Sequence, residues 1–269
     1  MKNSLKTLAV WLIIGIIIIV SISTIVENAN SKLTYSELVA KIEAGQVDKI
    51  ELEAGGGSAI VKLKNDNGEK KVNIPSVDNF MSYTEEYLKE QLKNEYADEI
   101  NKLKIIGLTG TNGKTTTAYL TYQLLNLFKE KTAYIGTIGF KAPNDEIETE
   151  NTTPDTLTIY SLLLHALEIG CKTVVMEVSS HALSFERIYG LHIDIAAFTN
   201  LTEDHLDYHK TMENYLNAKL KIFDYMNESG KLIVNNDDNA SKAFVNKFGS
   251  GIKLGYNNTE NDYNILKTE

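Results

Sequence analysis

From Ile105 to Leu120 the chain reads IIGLTGTNGKTTTAYL. A short apolar run ends in glycines, then a lysine and three threonines, and those residue types in that order suit a phosphate chain. Gly110 and Gly113 let the backbone wrap closely around an anion. A helix starting there turns its free amides and positive dipole end toward that anion. Lys114 would reach the outer phosphates and the Thr115 hydroxyl would ligate Mg²⁺. The nucleotide loop is therefore read as Gly110, Thr111, Asn112, Gly113, Lys114, Thr115 and Thr116. The strict pattern G-x-x-x-x-G-K-[ST] is missed by one residue: Leu108 stands where the first glycine belongs, and Gly107 lies one place early. A plain glycine turn is the competing reading, and the strand before and helix after favour the phosphate loop.

Further along, Thr173 to Met176 is an apolar, β-rich run followed by Glu177. A carboxylate at the C-terminal end of a strand parallel to the loop's strand would sit beside the phosphates. There it could hold Mg²⁺, which prefers oxygen ligands; a surface or helix-capping glutamate is the alternative. DIAAFTN reads as another buried strand, delivering Asn200, Asp204 and His205 to the same sheet edge. His205 and His209 have the i, i+4 spacing of a zinc pair, but two ligands do not make a site. His209 is read as structural, His192 as a loop residue, and His181 as fixing the turn after Glu177. In TMENYLNAKLKIF, Met212, Tyr215, Leu216 and Leu220 recur at helical spacing. On the residues alone, Lys219 of that helix is a solvated charge. Cys171, the single cysteine, is a small core residue and leaves no disulfide framework.

The variant GTNGKTTT resembles the loop of the Mur ligases, which build the peptide of bacterial cell-wall precursors. ENTTPDT, VVMEVSSHAL and FTNLTEDHLDYHKTMENYLNAK resemble that family's substrate, metal and lysine motifs, in the right order over about residues 102–256. The set is most similar to the UDP-N-acetylmuramoyl-tripeptide synthetase branch. The resemblance implies an ATP-dependent acid–amino acid ligase acting on a UDP-N-acetylmuramoyl-peptide and an amino acid through an acyl phosphate. It implies two Mg²⁺ ions, with His205 at the second, and makes Lys219 a metal ligand as a CO₂-derived carbamate, with Lys221 as internal control. It assigns catalytic roles to Lys114, Lys219 and His205, metal binding to Thr115 and Glu177, and substrate contacts to Asn151, Thr152, Thr153, Ser179 and Arg187. Phe185 departs from the pattern where some members carry a polar side chain, and Asn236 where a small residue is commoner.

These residues need a scaffold. An α/β domain with a mostly parallel sheet is expected over residues 103–256, with the site at the strands' C-terminal ends. Before it, TYSELVAKIEAGQ has a capping-box start and an apolar face, and VDKIELE and AIVKLK alternate as half-buried strands do. NFMSYTEEYLKEQLKN reads as a closing helix. With the segment ahead of it, this small α+β module resembles the N-terminal membrane and extracytoplasmic region of FtsH-type AAA proteases over about residues 1–85. No H-E-x-x-H zinc helix accompanies it.

Leu8 to Val26 carries no charge over 19 residues, which as a helix covers roughly 28 Å, about a bilayer core. A single-pass anchor is expected rather than a cleaved signal peptide, whose apolar region is shorter. Lys2 and Lys6 lean toward a cytoplasmic N-terminus. The domains are therefore read as a transmembrane anchor at 1–30, the small module at 31–100, and an incomplete Mur central domain at 101–269. Net charge −9 argues against a nucleic-acid partner. If the anchor puts the small module outside the cell, the ligase part follows it, whereas ATP is cytoplasmic. The alternative is thus a non-catalytic membrane assembly module, or a fused or truncated reading frame with a vestigial ATP site.

Overall fold

The computed structural model describes residues 33–52, 57–66, 68–256 and 260–265. They fall into two compact units that divide between Tyr87 and Leu88. Residues 8–26, read as a membrane span, lie outside the described residues. Among the described residues no helix is long and apolar enough to cross a membrane.

In the first unit, helix α1 (Tyr35–Glu43) opens on the expected capping box: Glu37 N donates to Thr34 Oγ1 at 3.3 Å and Thr34 N to Glu37 Oε2 at 2.8 Å. Two of the orphan amides of the first turn are satisfied this way. Strands β1 (Val47–Leu52), β2 (Ser58–Leu63) and β3 (Glu69–Asn73) form an antiparallel meander in that order. Ala59, Val61 and Leu63 of β2 point inward in strict alternation and pack with Leu38 and Ile42 of α1. Helix α2 (Val77–Ile100) contains the division at Tyr87 and Leu88 and extends six residues beyond the helical stretch read from the sequence.

The second unit is built on a sheet of nine strands among the described residues, in the order β12-β11-β10-β9-β4-β8-β5-β6-β7. These are β4 (Lys104–Thr109), β5 (Thr132–Gly136), β6 (Gly139–Ala142), β7 (Asp145–Ile147), β8 (Thr173–Glu177), β9 (Ile193–Phe198), β10 (Met226–Asn235), β11 (Ile252–Tyr256) and β12 (Tyr263–Ile265). From β12 to β5 every pairing is parallel; β6 and β7 add an antiparallel edge. Helices α3 (Lys114–Leu127), α4 (Thr156–Glu168), α5 (Ser180–Ser184), α6 (Leu206–His209), α7 (Met212–Leu220) and α8 (Ser241–Phe248) make the crossovers.

Both faces of the central strands are covered, which is why β8 is buried at every residue. Val174 and Met176 join the larger core with Ile159, Leu163 and Phe198, while Val175 joins Leu108, Ala118 and Tyr134 near α3. The register places the site. Leu108 pairs with Glu177 and Thr109 with Phe198, so the loop after β4 emerges between Glu177 and the segment after β9. The β6–β7 hairpin went unread in the sequence. Gly139 (φ 87°) opens β6 just after the β5–β6 turn and Asn144 (φ 66°) sits in the β6–β7 turn, both left-handed.

Candidate functional site

The loop residues occupy the turn between β4 and α3. Gly113 (φ 80°) caps α3 with no side-chain hydrogen bond, so the first amides of the helix are not consumed by a capping side chain. The segment after β9 braces the loop from one side. Thr111 N donates to Asn200 O (2.8 Å), Asn112 N to Asn200 Oδ1 (2.9 Å), and Asn200 Nδ2 returns a bond to Asn112 O (3.0 Å). Thr199 Oγ1 donates to Asn112 O (2.7 Å), and Asn112 Nδ2 to Thr202 Oγ1 (3.1 Å). Asn200, expected only at this edge, is therefore a structural template for the loop. Lys114 Nζ donates to Gly110 O (3.0 Å) and Thr111 O (2.8 Å). Burial lowers its pKa, opposed by the charges of Glu177 and Asp204.

Opposite Lys114 stands Glu177, 1% exposed at the end of β8. Thr115 Oγ1 donates to its Oε2 at 2.9 Å. Adjacent oxygens of a Mg²⁺ octahedron, at 2.0–2.1 Å from the ion, lie about 2.9 Å apart. The Thr115–Glu177 pair therefore has the spacing and donor chemistry to share such an ion. Thr137 contributes its amide to Oε1 (3.0 Å) and its hydroxyl to Oε2 (3.3 Å), and Tyr134 donates its phenol to Oε1. Burial, then the Glu177 contact, pushes the Tyr134 pKa up, so this phenol stays a donor. Sequence reasoning missed both residues. Tyr134 sits in a run that reads only as buried strand, and Thr137 in an unremarked turn.

Lys219 corrects the residue-level reading. It lies on the buried face of α7 with Tyr215, Ala218 and Leu220, and is 1% exposed. Its Nζ donates to Gly110 O (2.8 Å) and lies 4.3 Å from the Tyr215 ring centroid. Burial above all, then the positive charge of Lys114, lowers its pKa to about 7, with Asp204 opposing. Lys221 is exposed. The two lysines thus share one carbonyl, that of Gly110. Lys219's chemistry fits carbamate formation, because a neutral amine is the form that attacks CO₂.

The histidines divide. His209 is buried and bonded through Nε2 to Ser180 Oγ (3.0 Å). His205 is exposed, has φ 53°, and lies with its ring 4.8 Å from that of His181. Among the described residues no group of three or more His, Cys, Asp or Glu side chains is arranged to hold a metal, so the i, i+4 pair gains no third zinc ligand.

Of the residues assigned to substrate, Asn151 is exposed and Thr152 Oγ1 shares a 3.0 Å hydrogen bond with Thr137. Thr153 is buried, its hydroxyl donating to Glu177 O (2.9 Å) and accepting from Ser179 N (3.0 Å). Ser179 caps α5 by accepting from Ala182 N, and Arg187 donates to Thr153 O (2.8 Å). Thr116 is exposed on the first turn of α3. Beside the loop, a cavity of about 410 Å³ is lined by Asn112, Thr117, Asn200, Asn235, Asp237 and Tyr256, among others.

This combination of loop, strand-end glutamate and buried lysine coincides with a family match. Residues 108–268 match the Mur ligase middle domain. The chain belongs to the Mur ligase family. Residues 8–99 match the FtsH extracellular family. Among curated relatives, a UDP-N-acetylmuramoyl-L-alanyl-D-glutamate–2,6-diaminopimelate ligase of Bacillus cereus is 44% identical over 156 residues, 56% of this chain and 32% of that one. The enzyme of the same name from Bacteroides fragilis is 48% identical over 143 residues, 53% and 30% of the two chains. The chain thus spans about a third of the length of these relatives. A solved ligase of that name is 31% identical with a TM-score of 0.59, covering 68% of this chain and 38% of that one. MurF from Acinetobacter baumannii, 19% identical with a TM-score of 0.50 over 71% of this chain and 38% of its own, shares the fold.

Proposed function

We propose that the second unit binds Mg-ATP and serves an acid–amino acid ligase of peptidoglycan precursor synthesis, which extends a UDP-N-acetylmuramoyl-peptide by one amino acid. The observation that carries this is the convergence of Lys114 and Lys219 on the Gly110 carbonyl, with the Thr115–Glu177 pair facing the same loop. In this reading the α3 amides and Lys114 take the outer phosphates, and the cavity at Asn112, Asn235, Asp237 and Tyr256 takes the nucleoside. Thr115 and Glu177 would hold one Mg²⁺, and His205 and carbamylated Lys219 a second. The ions would neutralise charge developing on the transferring phosphoryl group. The substrate carboxylate attacks the γ-phosphate to give an acyl phosphate and ADP. The amine of the incoming amino acid then forms the amide bond, loses a proton and displaces phosphate. The chain's own contribution is positioning and charge stabilisation.

At pH 7 an ordinary lysine is neutral in roughly one molecule in two thousand, whereas Lys219, with a pKa of about 7, is neutral in about half. Its amine can therefore form the N–C bond to CO₂, releasing one proton. The direct test of the reading is ATP binding by calorimetry. Lys114→Ala is expected to weaken it by roughly tenfold to a hundredfold without lowering the melting temperature appreciably. Equal affinities in the two proteins would sink the nucleotide site.

We further infer that residues 8–26 hold the chain in a membrane, with the ligase unit on the cytoplasmic side where ATP is. The uncharged 19-residue run supports the membrane attachment. The cytoplasmic placement follows from the need for ATP alone. It requires the N-terminus outside, against the lean of Lys2 and Lys6 and against the extracellular family that residues 8–99 match. The chain should stay with membranes through alkaline washing, and protease added outside spheroplasts should leave the ligase unit intact. Digestion of that unit from outside would overturn the orientation.

A further inference from the structure

Glu177 is held unevenly. Its Oε2 faces the Thr115 and Thr137 hydroxyls at 2.9 and 3.3 Å. Its Oε1 accepts the Thr137 amide at 3.0 Å and the phenol of Tyr134. One oxygen is thus tied down from the protein side while the other is turned toward the loop.

Tyr134 is fully buried on β5, where it pairs with Val175 of β8, the strand that ends in Glu177. Its ring is wedged against α3: the Tyr119 ring meets it edge-on at 5.7 Å and the Tyr122 ring lies 6.3 Å away. The helix that supplies Lys114 and Thr115 therefore also walls the phenol into place. A phenylalanine would fill this apolar cluster without the cost of desolvating a hydroxyl, so core packing alone does not account for the tyrosine. Gly136 points the same way. A Cβ there would overlap both the Tyr134 hydroxyl and Glu177 Oε1, although its backbone is not in the left-handed region. The glycine is needed to make room for the tyrosine–glutamate contact.

We propose that Tyr134 is a positioning residue for the metal-binding carboxylate: its buried phenol pins Glu177 Oε1 so that Oε2 and Thr115 Oγ1 present a ready-made edge to a divalent cation. This rests on the Mg-nucleotide reading above. Partners that orient a metal ligand commonly matter tenfold to a hundredfold in metal affinity.

The experiment is a Mg²⁺ titration of fluorescent ATP-analogue binding to the full chain, with Mg-free affinity and melting temperature measured alongside. Tyr134→Phe keeps the ring and deletes only the hydroxyl. Its Mg²⁺ midpoint is expected to rise about tenfold or more, with Mg-free affinity unchanged. Tyr122→Phe, in the same aromatic cluster, should leave the midpoint where it is. In a Glu177→Gln background, Tyr134→Phe should add nothing, because the carboxylate it orients is gone. A midpoint for Tyr134→Phe within twofold of the parent, or an equal rise for Tyr122→Phe, overturns the positioning role and leaves the nucleotide site standing. A parent protein whose nucleotide binding ignores Mg²⁺ overturns both.

Discussion

Replacing Lys219 by methionine is expected to stabilise the protein at pH 6 and to make little difference near pH 10.5. Burial holds the folded-state pKa at about 7, well below the ordinary lysine value. Between those two values the unfolded chain binds more protons at this residue than the folded one, so this group makes stability rise with pH across that window. The penalty is absent above the unfolded pKa, grows as pH falls, and is complete below about 7. Its full size is on the order of 5 kcal/mol. Methionine keeps most of the volume but forfeits the bond to Gly110 O, worth about 1 kcal/mol. Net stabilisation at pH 6 should be roughly 4 kcal/mol, or about 8–16 °C in melting temperature.

The measurement is a pair of thermal melts across pH 6–10.5 in CO₂-free buffer, read as the difference between variant and parent. A constant difference would show that Lys219 is not buried as a strained amine. Exposed Lys221→Met is the control and should show none of this. Under ¹³C-bicarbonate the parent and Lys221→Met should gain a carbamate resonance that Lys219→Met lacks; its persistence in Lys219→Met would reassign the modification.

That lysine marks where the sequence stops being legible. Helical periodicity read from Met212, Tyr215, Leu216 and Leu220 finds the apolar face of α7. Lys219 lies one turn from Tyr215, on that same face, so a cation inside an apolar stripe was the available signal. Periodicity gives direction but not depth, and only the packing of α7 against the loop shows that Nζ ends on a backbone carbonyl. Glu177 was easier, because a charge ending an apolar β-rich run must emerge at the strand's tip. The parallel sheet was legible for the same reason: unbroken apolar runs alternate with helical segments. Tyr134 was not, since a phenol in an apolar run looks like core until its hydroxyl is seen to meet Glu177. The i, i+4 histidines suggested a pair, yet the ring of His209 turns inward to Ser180. The β6–β7 hairpin escaped because its strands are only four and three residues long, too short for alternation to register.

The two glycines of the loop should respond very differently to alanine, although the sequence pattern treats them alike. Gly113 has φ 80° and a Cβ there would meet nothing within 4 Å. Gly113→Ala therefore carries only the left-handed backbone penalty, about 1–2 kcal/mol. Gly110 has φ 146°, outside the ordinary left-handed well, and a Cβ would overlap the Thr199 hydroxyl and stand 3.1 Å from both the backbone N and O of Asn200. The Thr199 hydroxyl and Asn200 O brace the loop, and two of the three contacts are backbone atoms, so relief by side-chain rotation alone is closed off. Strain of about 1–3 kcal/mol combines with loss of the Asn112–Asn200 and Thr199 contacts, for a total of roughly 4 kcal/mol. The carbonyl shared by Lys114 and Lys219 would move with it. Gly110→Ala should accordingly lower the melting temperature by roughly 8–15 °C and abolish ATP binding, while Gly113→Ala lowers it by only a few degrees. Equal losses in the two variants would mean that the brace at Thr199 and Asn200 does not shape the loop.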